Sequence, residues 1–351
     1  MPDTFAIQLL RWYRVHARDL PWRHTRDPYS IWISEAMLQQ TTVKTVLGYY
    51  APWLAAFPDV YALASAPIEK VLKAWQGLGY YNRARNLHKA AGIVVAQFQG
   101  HVPQDPDILR KLPGFGPYMS ASVASIAFDR RVPLVDANVR RVMMRISNIH
   151  GPASGTWDKD ILIFLDRVMP AHRAGDFNQA LMELGALVCT SQQPKCNMCP
   201  LTRHCRAFEK GQQELIPEPK KVSLNEITAV IGLVRDKKKY LIQQRPEKGL
   251  LAGMWEFPGG KVGASDKSFK EALKRELMEE LGAVCRVNEE FCRVRHYYTT
   301  NKVQLIAFNA VLKGGFKPRA NQRWVSVGDL TAYPMPSGSA KIVVKLLENN
   351  P

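Results

Sequence analysis

The sequence predicts a multidomain chain in which an all-α domain is followed by an α+β domain. Three observations carry this prediction. Apolar residues recur at helical spacing up to Cys189, with no strand alternation among them. Glu214-Leu215-Ile216-Pro217-Glu218-Pro219-Lys220-Lys221 is a charged, proline-bearing stretch with linker character. Beyond it, period-two alternation and turn residues take over. At 351 residues, 46% of them hydrophobic, the chain has the apolar content for two cores. The expected divisions are 1–208 for the helical domain, 209–226 for the linker and 227–351 for the α+β domain.

The charge balance points to a polyanionic partner. Lys and Arg number 48 against 31 Asp and Glu, a net charge of +17, and 24 of the 48 precede Glu209, so the excess is spread over both halves. Such a distribution suits contact over the whole molecule better than a basic tail. The first twenty residues place Arg11, Arg14 and Arg18 among their apolar positions and lack the apolar core of a signal peptide, and no later run reaches membrane length. A soluble, intracellular, cytoplasmic protein without membrane contact, acting as a monomer, is expected.

In chain order, Thr4 caps a helix carrying Phe5, Ile7, Leu9, Leu10 and Trp12, which Leu20-Pro21-Trp22-Arg23 ends. Ile31 to Val43 reads as a second, strongly apolar helix containing one acid, Glu35, and an acid on such a face is either paired or used. Gln39, Gln40 and Thr41 give that helix uncharged side chains suited to base edges. Helical patterns follow at 43–57, 66–76 and 83–98. Between the last two, Gly77-Leu78-Gly79-Tyr80-Tyr81 forms a turn that sets aromatics beside Arg83, Arg85 and Lys89, a pairing suited to stacking on bases and gripping phosphate. Further helices are expected at 138–149, 158–168 and 177–188. Downstream, strands are predicted at 227–234, 240–244, 303–311 and 324–327, with helices at 268–281 and 339–347.

The stretch from Leu112 to Asn138 suggests chemistry on nucleic acid. Pro113, Gly114 and Gly116 break one helix and Pro117 suits the first turn of the next, which leaves backbone N–H groups free at a helix N-terminus. Ser120, Ala121, Ser122, Ala124 and Ser125 keep that next helix thin enough for another backbone to approach. About twenty residues after the hairpin, Asp136 opens a new helix, so a phosphate grip stands near a carboxylate. The plainer alternative is an ordinary turn and an ordinary N-cap.

Four of the six cysteines, Cys189, Cys196, Cys199 and Cys205, have the spacing C-x6-C-x2-C-x5-C. In a reducing compartment such a cluster indicates metal before disulfide, and four thiolates hold either zinc or a [4Fe-4S] cluster. Cys285 and Cys292 have no spacing that implies a site.

This cysteine arrangement, directly after a helical domain with a helix-hairpin-helix and a following Asp, resembles the endonuclease III superfamily of DNA glycosylases. Within it the chain resembles the MutY-type adenine DNA glycosylases. The motifs are Leu-Pro-Trp-Arg at 20–23, Ser-Glu-Ala-Met-Leu-Gln-Gln-Thr at 34–41, Gly-Leu-Gly-Tyr-Tyr at 77–81, Arg-Asn-Leu-His at 85–88, Val-Asp-Ala-Asn-Val at 135–139 and Phe-Asn-Gln-Ala at 177–180. The resemblance implies a helix-hairpin-helix glycosylase domain with a [4Fe-4S] loop, in which Lys195 and Arg203 face DNA. It implies Glu35 as general acid at the flipped adenine, Asp136 as the carboxylate facing the sugar, Asn138 as its support, and Gln40 as a wedge in the base stack. Trp22, Arg23, Gln39, Thr41, Leu78, Gly79, Tyr80, Gly114, Gly116 and Gln179 are the expected substrate and DNA contacts.

The chemistry agrees with that assignment. Breaking an N-glycosidic bond requires a proton on the leaving base and negative charge beside an oxocarbenium-like sugar, tasks for two carboxylates in unlike surroundings. Glu35 on an apolar helix is expected to keep its proton, and Asp136 at a helix N-terminus to stay ionised. Where lyase-type relatives carry a lysine two residues beyond the second hairpin glycine, this chain has Tyr118, so little or no strand cleavage is expected. The expected partner is double-stranded DNA containing A:8-oxoG or A:G mispairs.

The second half resembles the Nudix fold, which in MutY proteins recognises 8-oxoguanine. Gly259-Gly260-Lys261 precedes a helix ending Arg275-Glu276-Leu277-Met278-Glu279-Glu280-Leu281-Gly282. Glu276, Glu279 and Glu280 suit Mg²⁺ coordination. Two features depart from the usual box: Asp266 replaces Glu, and eight residues instead of seven precede Arg275. The loop expected to meet 8-oxoguanine aligns with Tyr298, Thr299 and Thr300, after His296. The alternatives are an added Mg²⁺-dependent 8-oxo-dGTP diphosphatase activity, a lyase-type repair endonuclease, which Tyr118 opposes, and a non-catalytic lesion-binding module, which Glu35 and Asp136 oppose.

Overall fold

Helices built as the apolar spacing predicts make up the first half of the chain in the computed structural model. The structure describes residues 2–219, 225–247, 249, 251–298 and 301–349. It divides into two compact units, Met1–Ser65 with Asn86–Lys221 and Ala66–Arg85 with Val222–Pro351. None of the described helices is long and apolar enough to cross a membrane.

The first unit is all-α. Its core gathers Phe5, Leu9 and Trp12 from helix Pro2–His16, Val139, Val142 and Met143 from helix Ala137–Ser147, and Phe177, Leu181 and Leu184 from helix Ala174–Leu187. The small-residue helix Pro117–Phe128 is approached closely, as its composition predicts. A Cβ on Gly175 would lie 2.6 Å from the Ser125 carbonyl oxygen, so the two backbones touch only because residue 175 has no side chain. Gly185 plays the same part at the neighbouring crossing, where a Cβ would stand 2.6 Å from Cβ of Asn138.

One expected helix is two. The run 31–43 is interrupted because helix Pro28–Leu38 ends at Leu38, Gln40 turns with φ 56°, and Thr42 caps a new helix, Val43–Ala56, by accepting from Thr45 N. Gln39, Gln40 and Thr41 are therefore turn residues, not part of the helix.

Among the described residues, the second unit is built on a seven-stranded mixed sheet. Its strands are β1 (Asn225–Asp236), β2 (Lys239–Gln244), β3 (Trp255–Glu256), β4 (Gly259–Lys261), β5 (Cys285–Tyr298), β6 (Asn301–Leu312) and β7 (Gln322–Ser326). The main order is β3-β2-β1-β6-β5, with β4 on β1 and β7 on β2, and β1 pairs parallel to β6. Side chains alternate between the two faces. Val230, Val234 and Leu241 join Leu273 and Leu277 of helix Phe269–Leu281, whereas Ile231, Leu233 and Ile242 join Ile342 and Leu346 of helix Ser337–Glu348. A sheet covered on both faces accounts for the unbroken apolar run of β1. Cys285 is buried in one of these layers and Cys292 packs against the other, in keeping with a core role.

β5 was not expected from the sequence. Register shifts between Val287 and Glu290 and between Glu290 and Cys292 break its period-two pattern, so alternation fails although the strand is long. Chain order places Ala66–Arg85 with the first domain, but its packing joins it to the second unit. Trp255 Nε1 donates to Glu69 at 3.4 Å, Met335 N donates to Gln76 at 3.3 Å, and Arg85 donates to the Ala252 carbonyl.

Candidate active site

Glu35 sits on helix Pro28–Leu38, whose first turn is fixed by Pro28 and by Asp27 accepting from Ser30 N. Seven other residues of this helix are buried with it, and Glu35 itself is 4% exposed. Its Oε2 accepts from Tyr118 Oη and from Ser122 Oγ, each at 2.6 Å. Both donors lie on helix Pro117–Phe128, one turn apart on the face toward Glu35. Among the described residues no hydrogen bond is recorded to Oε1, which leaves that oxygen for a ligand. Burial pushes the Glu35 carboxyl up, opposed by the two hydroxyls and reinforced by the like charge of Asp136.

Asp136 caps helix Ala137–Ser147. Its Oδ1 accepts from Val139 N at 2.6 Å and its Oδ2 from Asn138 Nδ2 at 3.0 Å. Burial pushes this carboxyl up as well. The N–H donors of Val139 and Asn138 and the nearby Arg141 guanidinium oppose that shift. Every partner of Asp136 is a donor, an environment that suits a carboxylate, whereas Glu35 meets hydroxyls that bond either form. Asn138 accepts in turn from Arg141 Nη2 at 2.9 Å, and Arg141 also donates to the carbonyls of Gly185 and Cys189.

These groups share a cleft of about 450 Å³, lined by Glu35, Tyr118, Asp136, Asn138, Trp22, Arg23, Thr41 and Gln179 together with Arg18, Lys44, Met182 and Glu183. It is large enough for a nucleobase and its sugar. Gln39 and Gln40 lie outside this lining, in the turn described above. Gly114, with φ 84°, and Gly116 lead into helix Pro117–Phe128, which begins with Pro117 and no capping side chain, so the hairpin has the predicted form. In the second unit, Leu78 is 5% exposed and Tyr80 44% exposed, and Gly79 has φ 72°. Burial makes Leu78 a packing residue there, while Tyr80 presents its ring beneath the Arg83 guanidinium at 5.7 Å.

Sequence reasoning missed Ser122, Arg18 and Glu183. Ser122 was read only as small. Glu183 is 1% exposed on a strongly apolar helix, the same signal that singled out Glu35.

The four cysteines Cys189, Cys196, Cys199 and Cys205 line one cavity with Arg145, and none of the four is paired in a disulfide. Arg145, itself 1% exposed, donates to Cys189 Sγ at 3.3 Å and to the carbonyls of Thr190, Ser191 and Ile216. Among the described residues no group of three or more His, Cys, Asp or Glu side chains is gathered closely enough to hold a single metal ion.

In the second unit, Asp266 pairs with Arg275 despite its shorter side chain and altered spacing, with Nη2 to Oδ2 at 2.8 Å. Arg275 also bonds Glu276 at 2.9 Å and Glu279 at 3.3 Å. Glu280 accepts from Gly259 N at 2.8 Å and from Gln243 Nε2 at 2.6 Å. Thr299, Thr300 and the Tyr298 side chain lie outside the described residues. His296 is half-buried, and burial with Lys341 pushes its imidazole down.

Residues 33–160 match the family model of the HhH-GPD superfamily base excision DNA repair proteins, and residues 229–345 match the NUDIX domain model. The adenine DNA glycosylase of Mus musculus is 34% identical, aligned over 88% of this chain and 71% of its own. That of Homo sapiens is 34% identical over 89% and 67%, and that of Schizosaccharomyces pombe 28% identical over 93% and 86%. Among solved structures, a thermostable thymine-DNA glycosylase superposes with a TM-score of 0.53 at 31% identity, covering 59% of this chain and 95% of that one. A non-covalent endonuclease III–DNA complex superposes at 0.51 with 24% identity, covering 61% and 99%, a likeness of fold.

Proposed function

The chain belongs to the adenine DNA glycosylase family of base excision repair enzymes, and we propose that it excises adenine mispaired with 8-oxoguanine or guanine, with Glu35 and Asp136 as its two working carboxylates. The observation that carries this reading is the pair itself, one acid buried under two hydroxyls and the other ringed by N–H donors, in a single cleft. An adenine turned out of the duplex enters the cleft, and Glu35 delivers its proton to a ring nitrogen through Oε1. The N-glycosidic bond breaks with its electron pair on the base, and Asp136 supports the cationic sugar until water adds at C1′ and loses a proton. Adenine and an abasic site are the products.

Tyr118 supports a glycosylase without efficient strand cleavage. Burial and the neighbouring Glu35 and Asp136 charges push its phenol well above the ordinary range, so it serves as a hydrogen-bond donor and not as a nucleophile. The test is adenine release from duplexes carrying A:8-oxoG, A:G or A:T, read with and without alkali. Release from the first two, with strand breaks appearing only after alkali, supports the reading; breaks before alkali oppose it.

The donor set at Cys189, Cys196, Cys199 and Cys205 fits a [4Fe-4S] cluster, which takes one thiolate per iron, and the buried Arg145 cation offsets negative charge there. When bound, such a cluster supplies a rigid loop on which Lys195 and Arg203 are held for DNA phosphates.

For the Nudix-like unit, recognition of 8-oxoguanine is the favoured role. Two departures from the usual box, Asp266 in place of Glu and an extra residue before Arg275, favour a reader over a diphosphatase.

A further inference from the structure

We infer that Glu183 is a positioning residue of the base cleft, holding Arg18 and Arg23 as one braced, charge-compensated wall beside Glu35. The inference rests on the reading of this cleft as the adenine-excision site.

Glu183 is 1% exposed and accepts five hydrogen bonds from two cations. Arg18 donates its backbone N–H, Nε and Nη2 at 2.9, 2.9 and 2.7 Å. Arg23 donates Nη1 and Nη2 at 3.1 and 2.9 Å. Arg23 is further fixed by donating to the Arg18 carbonyl at 2.8 Å and by lying 5.4 Å from the centre of the Tyr13 ring. Its buried Nε–H has no partner among the described residues. A carboxylate so surrounded costs desolvation that its charge-assisted bonds must offset. The two cations outweigh burial and hold the Glu183 carboxyl at about 2, so it is ionised at working pH.

Compensation matters because Glu35 senses the same wall. Glu35 faces Tyr118 and Ser122 from helix Pro117–Phe128, Asp136 from the start of helix Ala137–Ser147, and Arg23 from the turn Pro21–Arg23. The cleft also holds Arg18, Lys44 and Glu183. Arg23 favours the ionised form of Glu35, whereas the general acid must keep its proton. Arg18, Arg23 and Glu183 together carry one net positive charge. Without Glu183 the wall carries two, and without Arg18 it carries none.

The test is the pH profile of single-turnover adenine excision at saturating A:8-oxoG duplex. Glu183→Gln moves the alkaline limb to lower pH by about half to one unit, a roughly three- to tenfold loss of rate at a fixed pH on that limb. Arg18→Met moves the limb to higher pH, and Glu183→Asp restores it near the wild-type position. Shifts of opposite sign separate charge compensation from loosened packing, which would slow both variants without moving the limb. If Glu183→Gln does not fold, Arg18→Met and Glu183→Asp carry the test. Limbs that stay put in the folded variants overturn the inference, and a wild-type profile with no alkaline limb overturns instead the reading of Glu35 as the acid.

Discussion

Tyr118 donates its hydroxyl hydrogen to Oε2 of Glu35 across 2.6 Å, which ties the phenol directly to the proposed general acid. A phenol at this position supplies an orienting donor and no amine nucleophile. Tyr118→Phe should leave the fold intact and lower the plateau excision rate about fivefold to tenfold, the worth of one such bond. Because the phenol favours ionised Glu35, the alkaline limb should move to higher pH. A limb shifted downward would contradict the geometry.

Glu35 stores instability for its task. Its folded carboxyl is raised, so its contribution to stability is fully present below the ordinary carboxylate range and declines as pH rises from there toward the folded value. Glu35→Gln should therefore melt higher than wild type at neutral pH and gain nothing below pH ~4. Thermal denaturation at the two pH values checks this.

Glu183 has the opposite sign. Its folded carboxyl lies at about 2, so its stabilisation is present above the ordinary range, near 4.5, and is lost as pH falls toward 2. Acid denaturation followed by circular dichroism should show a steep loss across that window, flattened in Glu183→Gln.

The crossing at Gly185 controls the support of Asp136. A Cβ there would meet Asn138, whose amide donates to Asp136 at 3.0 Å. Gly185→Ala should cost about 1–3 kcal/mol of stability and reduce excision with little change in DNA affinity. Gly92→Ala, where nothing lies within 4 Å of a Cβ, is the control expected to be nearly silent.

In the Nudix-like unit, the purified chain with Mg²⁺ should release no pyrophosphate from 8-oxo-dGTP. Release that disappears in a Glu279→Gln, Glu280→Gln variant would turn the reader into a second hydrolase.

Much of this was legible in the sequence because it is local. Pro113 through Pro117 fixed a hairpin, an apolar run marked β1 and alternation β6, and the small residues at 120–125 announced a close crossing that Gly175 makes. Long-range groups were not legible. Glu183 meets Arg18 and Arg23 across 165 and 160 residues, and no spacing rule joins them. Ser122 looked like a spacer until the fold set it against Glu35. β5 was lost because two bulges changed which face its side chains took, and the Gln39–Thr41 turn was hidden because Gln and the preceding Ala36, Met37 and Leu38 are good helix formers.

The most direct test of the two-carboxylate account is single-turnover adenine release from an A:8-oxoG duplex by Glu35→Gln and Asp136→Asn, alongside their affinity for the same DNA. Asn also caps helices well, so Asp136→Asn should fold normally. The account predicts that both variants bind DNA as wild type does and excise adenine at least ~10²-fold more slowly. Excision at the wild-type rate by either folded, DNA-binding variant would contradict it.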